Sequence, residues 1–179
     1  PHSGTWDMAG VWLTNTHGKF ATVAERLKPE SLYQRFVDYR ESLGLEVLPL
    51  TGGARPPSEV LADRLRGNGL VCLMSDRDLT RSGVQVDLFG EPTRLPGGPA
   101  RLALETGAAL LPTYCWYEGD SAAIRIHPPL DTSSGDVQVI TQALADQFTV
   151  DIATHPADWH MLQPQWLADL SDERRARLG

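Results

Sequence analysis

Apolar residues recur along this chain at two different periods, and the alternation between them sets out the expected architecture. Leu32, Phe36, Tyr39 and Leu43 follow the i, i+4, i+7, i+11 spacing of one helical face. Pro29 stands where a helix tolerates a missing N–H and Gly44 where one stops, so an amphipathic helix is predicted between them. Val137, Ile140, Leu144, Phe148 and Ile152 mark a second, longer helix. Shorter ones are predicted over Trp6 to Leu13, with Met8, Val11 and Trp12 at helical spacing, over Ser58 to Arg66 after Pro56-Pro57, and over Pro99 to Thr106 before Gly107. Strand patterns lie between them at Phe20 to Val23, Leu45 to Leu50, the apolar run Leu70 to Met74, and Ala108 to Trp116, where Pro112 calls for a bulge or an edge. Val84 to Phe89 and Ala122 to His127 alternate with period two, as half-buried strands do, and the second is expected to pair antiparallel with its neighbour.

Strands alternating with helices of about ten residues predict an α/β fold: a single layered domain with a largely parallel central sheet and helices on both faces. In such sheets functional residues gather at the carboxyl ends of strands. The turn at His2, the segment Ser75-Asp76-Arg77-Asp78 and the residues after Leu50 would then share one edge, which makes His2 and Asp76 expected neighbours.

Composition narrows the functional classes. A length of 179 residues suits one domain with a sizeable core. Sixteen basic against 23 acidic residues give a net charge of −7, which argues against wholesale nucleic-acid binding. Cys72 and Cys115 sit in apolar runs and read as buried thiols in a reducing compartment rather than as a disulfide or nucleophile. No run reaches the ~18 apolar residues of a membrane span, and no signal peptide is visible. The chain starts at Pro1 without a methionine, so a fragment or processed product is expected, with an N-terminal portion missing.

The candidate chemistry begins at Pro1-His2-Ser3-Gly4-Thr5-Trp6-Asp7. On a continuous helix, five steps would leave His2 and Asp7 roughly 140° apart. To cooperate they need a turn, which Ser3 and Gly4 permit. Histidine suits a general base because its ordinary pKa of about 6.5 lets it take a proton near neutrality, and a carboxylate on its other nitrogen fixes the tautomer. Asp76-Arg77-Asp78 puts charge at the end of an apolar strand, either as a solvated turn with an internal ion pair or as a carboxylate of the His2 site. No Gly-x-Ser-x-Gly elbow occurs, so direct deprotonation of an acceptor hydroxyl is favoured over a covalent intermediate. His155 and His160 lack partners with metal-ligand spacing, and no metal site is expected. Arg40, Arg77, Arg81, Arg94 and Arg101 fall near strand or helix ends, where guanidinium groups can bind phosphates. Glu91 to Pro99 reads as a turn-rich approach to a helix N-terminus. Trp159, Met161, Leu162, Trp166 and Leu167 form either a docking face for the core or a surface that touches membrane.

The ordered segments resemble the lysophospholipid acyltransferase superfamily, in its bacterial branch related to lipid A lauroyl acyltransferases. The resemblance is carried by His2 and Asp7; Arg26-Leu27-Lys28-Pro29 leading to Tyr39-Arg40-Glu41; Asp76-Arg77-Asp78; Phe89-Gly90-Glu91-Pro92 through Gly98-Pro99-Ala100; and Leu102 to Ala108. The strings Asp76 to Gln85 and Pro156 to Pro164 look most like actinobacterial phosphatidylinositol mannoside acyltransferases.

The resemblance implies a glycerolipid acyltransferase-like catalytic domain over residues 1–179. It implies transfer of a palmitoyl-like group from acyl-CoA to a mannose hydroxyl of a phosphatidylinositol mannoside, with no cofactor beyond the donor. The partners would be acyl-CoA, a membrane glycolipid acceptor and the membrane surface, with the protein peripheral on the cytoplasmic face of the inner membrane. By position, His2 looks like the general base, Asp7 like the aspartate that orders the turn, and Asp76 falls where relatives place a catalytic glutamate, with Asp78 as competitor. His2, Arg40, Arg77, Ser82 and Glu105 would lie along the acyl-CoA groove. Alternatives are a lipid A precursor or lysophospholipid acceptor, an acyl carrier protein donor, a thioesterase, and a non-catalytic lipid-binding module.

Overall fold

Parallel strands need a crossover of a dozen or more residues, and the first seventy residues supply a helix for each of the two crossovers. The computed structural model describes residues 1–178 and divides into two compact units, Asp7–Leu73 and Pro1–Trp6 with the chain from Met74 onward. In the first, β1 (Phe20–Ala24) lies between β2 (Leu45–Pro49) and β3 (Leu70–Val71), all parallel. Phe20 stands opposite both Leu45 and Leu70. As befits a central strand covered on both faces, the consecutive residues Phe20 and Ala21 are both buried.

Helices α1 (Trp6–His17), α2 (Glu30–Ser42) and α3 (Pro57–Arg66) accompany this sheet. The buried face of α2 is Tyr33, Val37 and Arg40, and the two apolar residues pack with Phe20, Leu45 and Val47. The stripe that the periodicity singled out, Leu32, Phe36 and Tyr39, is 40–59% exposed. Both stripes have the same i, i+4, i+7 spacing and differ by one residue, so the period located the helix without identifying its inner face.

In the second unit, β4 (Val84–Leu88) and β5 (Glu91–Leu95) form an antiparallel hairpin. Its two turn residues, Phe89 and Gly90, both have positive φ (56° and 78°), as a type I′ connection demands. After α4 (Gly98–Thr106), Gly107 adopts φ 72° and returns its N–H to Ala103 O, closing the helix end. β6 (Thr113–Glu118) and β7 (Ser121–Ile126) make a second antiparallel hairpin, and α5 (Val137–Thr154) starts where the Asp136 carboxylate accepts the Gln138 N–H. Leu144, Phe148 and Ile152 of α5 pack against Val86, Leu88, Leu95, Tyr114 and Trp116 to form this unit's core. A short α6 (Asp172–Ala176) follows the tail, capped by Ser171.

The α/β expectation holds in coarse form: the chain is mixed α/β with a small parallel sheet. A single layered domain around a largely parallel sheet is not what these strands build. Parallel pairing stops at three strands, because the two-residue connections Phe89-Gly90 and Gly119-Asp120 are too short for anything but antiparallel neighbours. Three local readings also change. Leu70 to Met74 is not a buried strand: pairing ends at Val71, and Leu70 is exposed. The strand predicted from Ala108 begins only at Thr113, after Pro112. The supposed loop from Glu91 contains β5, whose inward residues Thr93 and Leu95 are fully buried.

Candidate active site

His2 is anchored by its backbone before its side chain is used. Its carbonyl accepts the His160 N–H at 2.7 Å, the Gly4 N–H donates to Asp158 O at 2.8 Å, and Ser3 forms an isolated antiparallel bridge with Trp159. Ser3 is buried, and its Oγ accepts the Cys115 N–H at 3.2 Å. Gly4 has φ 51°, and a Cβ there would stand 2.8 Å from the backbone of Cys115. The turn therefore requires glycine for its conformation and for its clearance.

Asp76 is 1% exposed and receives three donors on its two oxygens. Oδ1 lies 2.7 Å from His2 Nδ1. Oδ2 accepts the His2 backbone N–H at 2.8 Å and the Trp159 indole N–H at 3.0 Å. The Gln165 amide donates to the Asp76 main-chain oxygen at 2.7 Å, and the Thr93 hydroxyl holds the Gln165 carbonyl in turn. A buried carboxylate is costly unless its lone pairs are used, and here they are. Burial pushes the Asp76 carboxyl up, but the bond from His2, the charge of His2 and the Trp159 bond oppose it and hold the group well below the usual carboxylate range. An ionised carboxylate only accepts, so Nδ1 of His2 carries a proton and a neutral ring keeps Nε2 as an acceptor. That ring is half exposed.

Of the two aspartates that competed for this position, Asp76 faces His2. Asp78 Oδ1 instead accepts the Thr80 hydroxyl at 2.6 Å, and Thr80 Oγ1 is 2.8 Å from Ser82 Oγ. Asp7 lies in the first turn of α1, with its Oδ1 3.4 Å from Arg40 Nε. Arg40 is 6% exposed, its guanidinium carbon 4.1 Å from the Phe36 ring centroid, and burial lowers its pKa against the pull of Asp7. Arg77 donates to Pro164 O at 2.7 Å, Arg81 to Arg177 O at 2.9 Å and Arg94 to Thr80 O at 3.0 Å. Arg101 and Glu105 are exposed on α4.

Two contacts to Asp76 escaped the sequence reading. Trp159 was legible only as part of a docking face, and Gln165 carried no signal. Trp159 and Trp166 do dock, edge to face at 6.2 Å, with the Trp166 indole donating to Leu88 O, while Leu162 between them is 97% exposed. A second histidine–aspartate pair was also hidden: His127 Nε2 is 2.9 Å from both oxygens of Asp151, itself buried on α5. The His127 side chain is only 17% exposed, against 47% for His2, which marks it as a tie between the β7 end and α5. His155 caps the end of α5 and stacks on Trp116 at 4.8 Å. Cys72 and Cys115 are both free thiols.

Comparison with known proteins agrees with the resemblance read from the motifs. The family model described as bacterial lipid A biosynthesis acyltransferase matches residues 1–168. The chain is 75% identical over its full length to a phosphatidylinositol mannoside acyltransferase of Mycolicibacterium smegmatis, covering 59% of that protein. It is 72% identical over 99% of its length to the phosphatidylinositol mannoside acyltransferase of Mycobacterium tuberculosis, covering 56% of it. It thus spans rather more than half the length of these relatives. With a family model that runs from the His2 turn through the tryptophans of the tail, the chain belongs to the bacterial lipid A biosynthesis acyltransferase family.

Proposed function

We propose that this chain carries the catalytic site of an acyl-CoA-dependent O-acyltransferase that moves a long-chain, palmitoyl-like group to a mannose hydroxyl of a phosphatidylinositol mannoside. The observation behind this reading is the 2.7 Å contact between His2 Nδ1 and a buried, ionised Asp76, which leaves Nε2 of a half-exposed imidazole able to take a proton. The names of the relatives support the acceptor class.

In this mechanism the acceptor hydroxyl approaches Nε2 of His2. As its oxygen attacks the thioester carbonyl, the hydroxyl proton passes to Nε2, and Asp76 stabilises the imidazolium that forms. Collapse of the tetrahedral intermediate expels the thiolate of coenzyme A, which takes the proton back from His2 and leaves as the thiol. Asp7, paired with Arg40, orders the start of α1, and Arg77, Ser82 and Glu105 border the donor. The three-stranded parallel sheet with its helices belongs, on this reading, to a glycerolipid acyltransferase-like fold. Among the described residues no helix is long and apolar enough to cross a membrane, and the protein works as a peripheral enzyme at the cytoplasmic membrane face.

The test is acyl transfer by the natural protein, offered palmitoyl-CoA or palmitoyl-acyl carrier protein with phosphatidylinositol mannoside, a lipid A precursor or a lysophospholipid. Transfer from the CoA thioester to the mannoside, lost in a folded His2→Ala variant, is the expected result. Retained transfer in that variant would sink the mechanism. Equal turnover with and without acceptor would make the protein a thioesterase.

A further inference from the structure

The indole of Trp159 sits on the same carboxylate that holds His2. Its N–H reaches Asp76 Oδ2 at 3.0 Å, and Asp76 Oδ1 reaches His2 Nδ1 at 2.7 Å, so the three side chains form one chain of hydrogen bonds. The indole is also tied into the structure at its other faces, tilted against Phe89 at 6.5 Å and edge to face with Trp166 at 6.2 Å. Its backbone bridges Ser3, the residue after His2. We propose that Trp159 is a positioning residue of this site, which shares the charge of Asp76 and thereby sets both the orientation and the basicity of His2. The inference rests on the acyltransfer reading given above.

Three physical arguments carry it. A carboxylate 1% exposed needs more than one donor per oxygen, and Oδ2, which already accepts the His2 backbone N–H, gains from the indole a second donor that offers no competing acceptor to His2. A donor on Oδ2 draws negative charge away from Oδ1, which weakens the pull of the carboxylate on the imidazolium that forms in the reaction. Each of the elements around His2 also places the tryptophan and the histidine together: the bridge between Ser3 and Trp159 and the bond from the His160 N–H to His2 O run antiparallel, so a displacement of the tail moves both residues. The ionisable group that faces Asp76 in this chain of bonds is His2, while His160 and Asp158 of the tail meet the His2 turn through their backbones. The Asp158 carboxylate accepts the Tyr117 N–H at 3.4 Å.

Trp159→Phe removes the N–H and keeps most of the ring. In the natural protein we expect kcat to fall about tenfold with KM for acyl-CoA within about twofold, because the imidazole loses a tie on its orientation while the donor's contacts are untouched. The acid limb of the kcat/KM profile is expected to move to higher pH by about half a unit or more, as the more basic carboxylate stabilises imidazolium. Wild-type kcat and an unmoved limb would overturn the proposal. A lower kcat with an unmoved limb would overturn it too, since that is what a merely structural ring would do. The parallel variants His2→Ala and Asp76→Asn separate the two levels: if both are inactive while Trp159→Phe is unchanged, the acyltransfer reading stands and this inference falls. If His2→Ala is active, the reading itself falls. A second measurement needs no folded Trp159 variant. In protein labelled at tryptophan nitrogen, the Trp159 indole proton is expected to move upfield in Asp76→Asn. An indole signal unaffected by that substitution would overturn the proposal.

Discussion

His2 and Asp76, 74 residues apart in sequence, meet at 2.7 Å between Nδ1 and Oδ1, and the backbone N–H of His2 binds the other oxygen of the same carboxylate at 2.8 Å. Two bonds from one residue to one carboxylate fix the imidazole in position and in tautomer, a stronger constraint than a side-chain contact alone. Asp76→Asn is expected to lower kcat by about 10²–10⁴, because an amide can leave the histidine in the wrong tautomer and no longer stabilises imidazolium. Asp76→Glu, which keeps the charge and lengthens the arm by one methylene, should retain more activity than Asn. Steady-state acyl transfer by the three proteins checks the order, and an equal loss in both variants would contradict it.

The same carboxylate ties stability to acid. The folded-state pKa of Asp76 is depressed, so its contribution is fully present above the unfolded value of about 3.9 and is lost as pH falls through that value toward the folded one. The urea midpoint of the wild type should therefore drop more steeply below about pH 4 than that of Asp76→Asn, which has no proton to take up at this site. Parallel acid limbs for the two proteins would argue against the ion pair.

Tyr114 gives the opposite signature at high pH. Burial, and then the charges of Asp158 and Asp151, push its phenol up to about 12. A raised acid pKa contributes stability below the unfolded value of about 10, and that contribution disappears as pH rises from there through the folded value. The phenolate of Tyr114 should appear in near-ultraviolet titration only with unfolding. Tyr114→Phe loses its bond to His155 O, at 2.9 Å, for about 1 kcal/mol, and should show a shallower alkaline limb.

Gly4→Ala tests whether the turn serves the site. A left-handed alanine and a Cβ at 2.8 Å from the Cys115 backbone together should cost about 1–3 kcal/mol. Activity is expected to fall further than stability at a temperature where the variant is folded, because His2 follows the turn. Thermal melting beside acyl transfer separates the two, and an active, destabilised protein would show that His2 keeps its place without Gly4.

The sequence by itself determined what depends on neighbours a few residues apart. It placed the long helix at Val137–Thr154, closed α4 at Gly107, made β7 an antiparallel partner of β6 and allowed a turn at Ser3-Gly4, because helical period, caps and turn chemistry are local properties. It also carried enough ordered motifs for the family to be read before any coordinates.

Tertiary structure decided what depends on packing partners far along the chain. Leu32, Phe36 and Tyr39 and the stripe Tyr33, Val37 and Arg40 are indistinguishable in spacing, and only contact with Phe20, Leu45 and Val47 selects which is inside. Asp76 and Asp78 are two residues apart and chemically identical, and the choice between them rests on His2, Trp159 and Gln165, the last two more than eighty residues downstream. A buried carboxylate is stabilised by donors converging from separate segments, and no local pattern records which segments will converge.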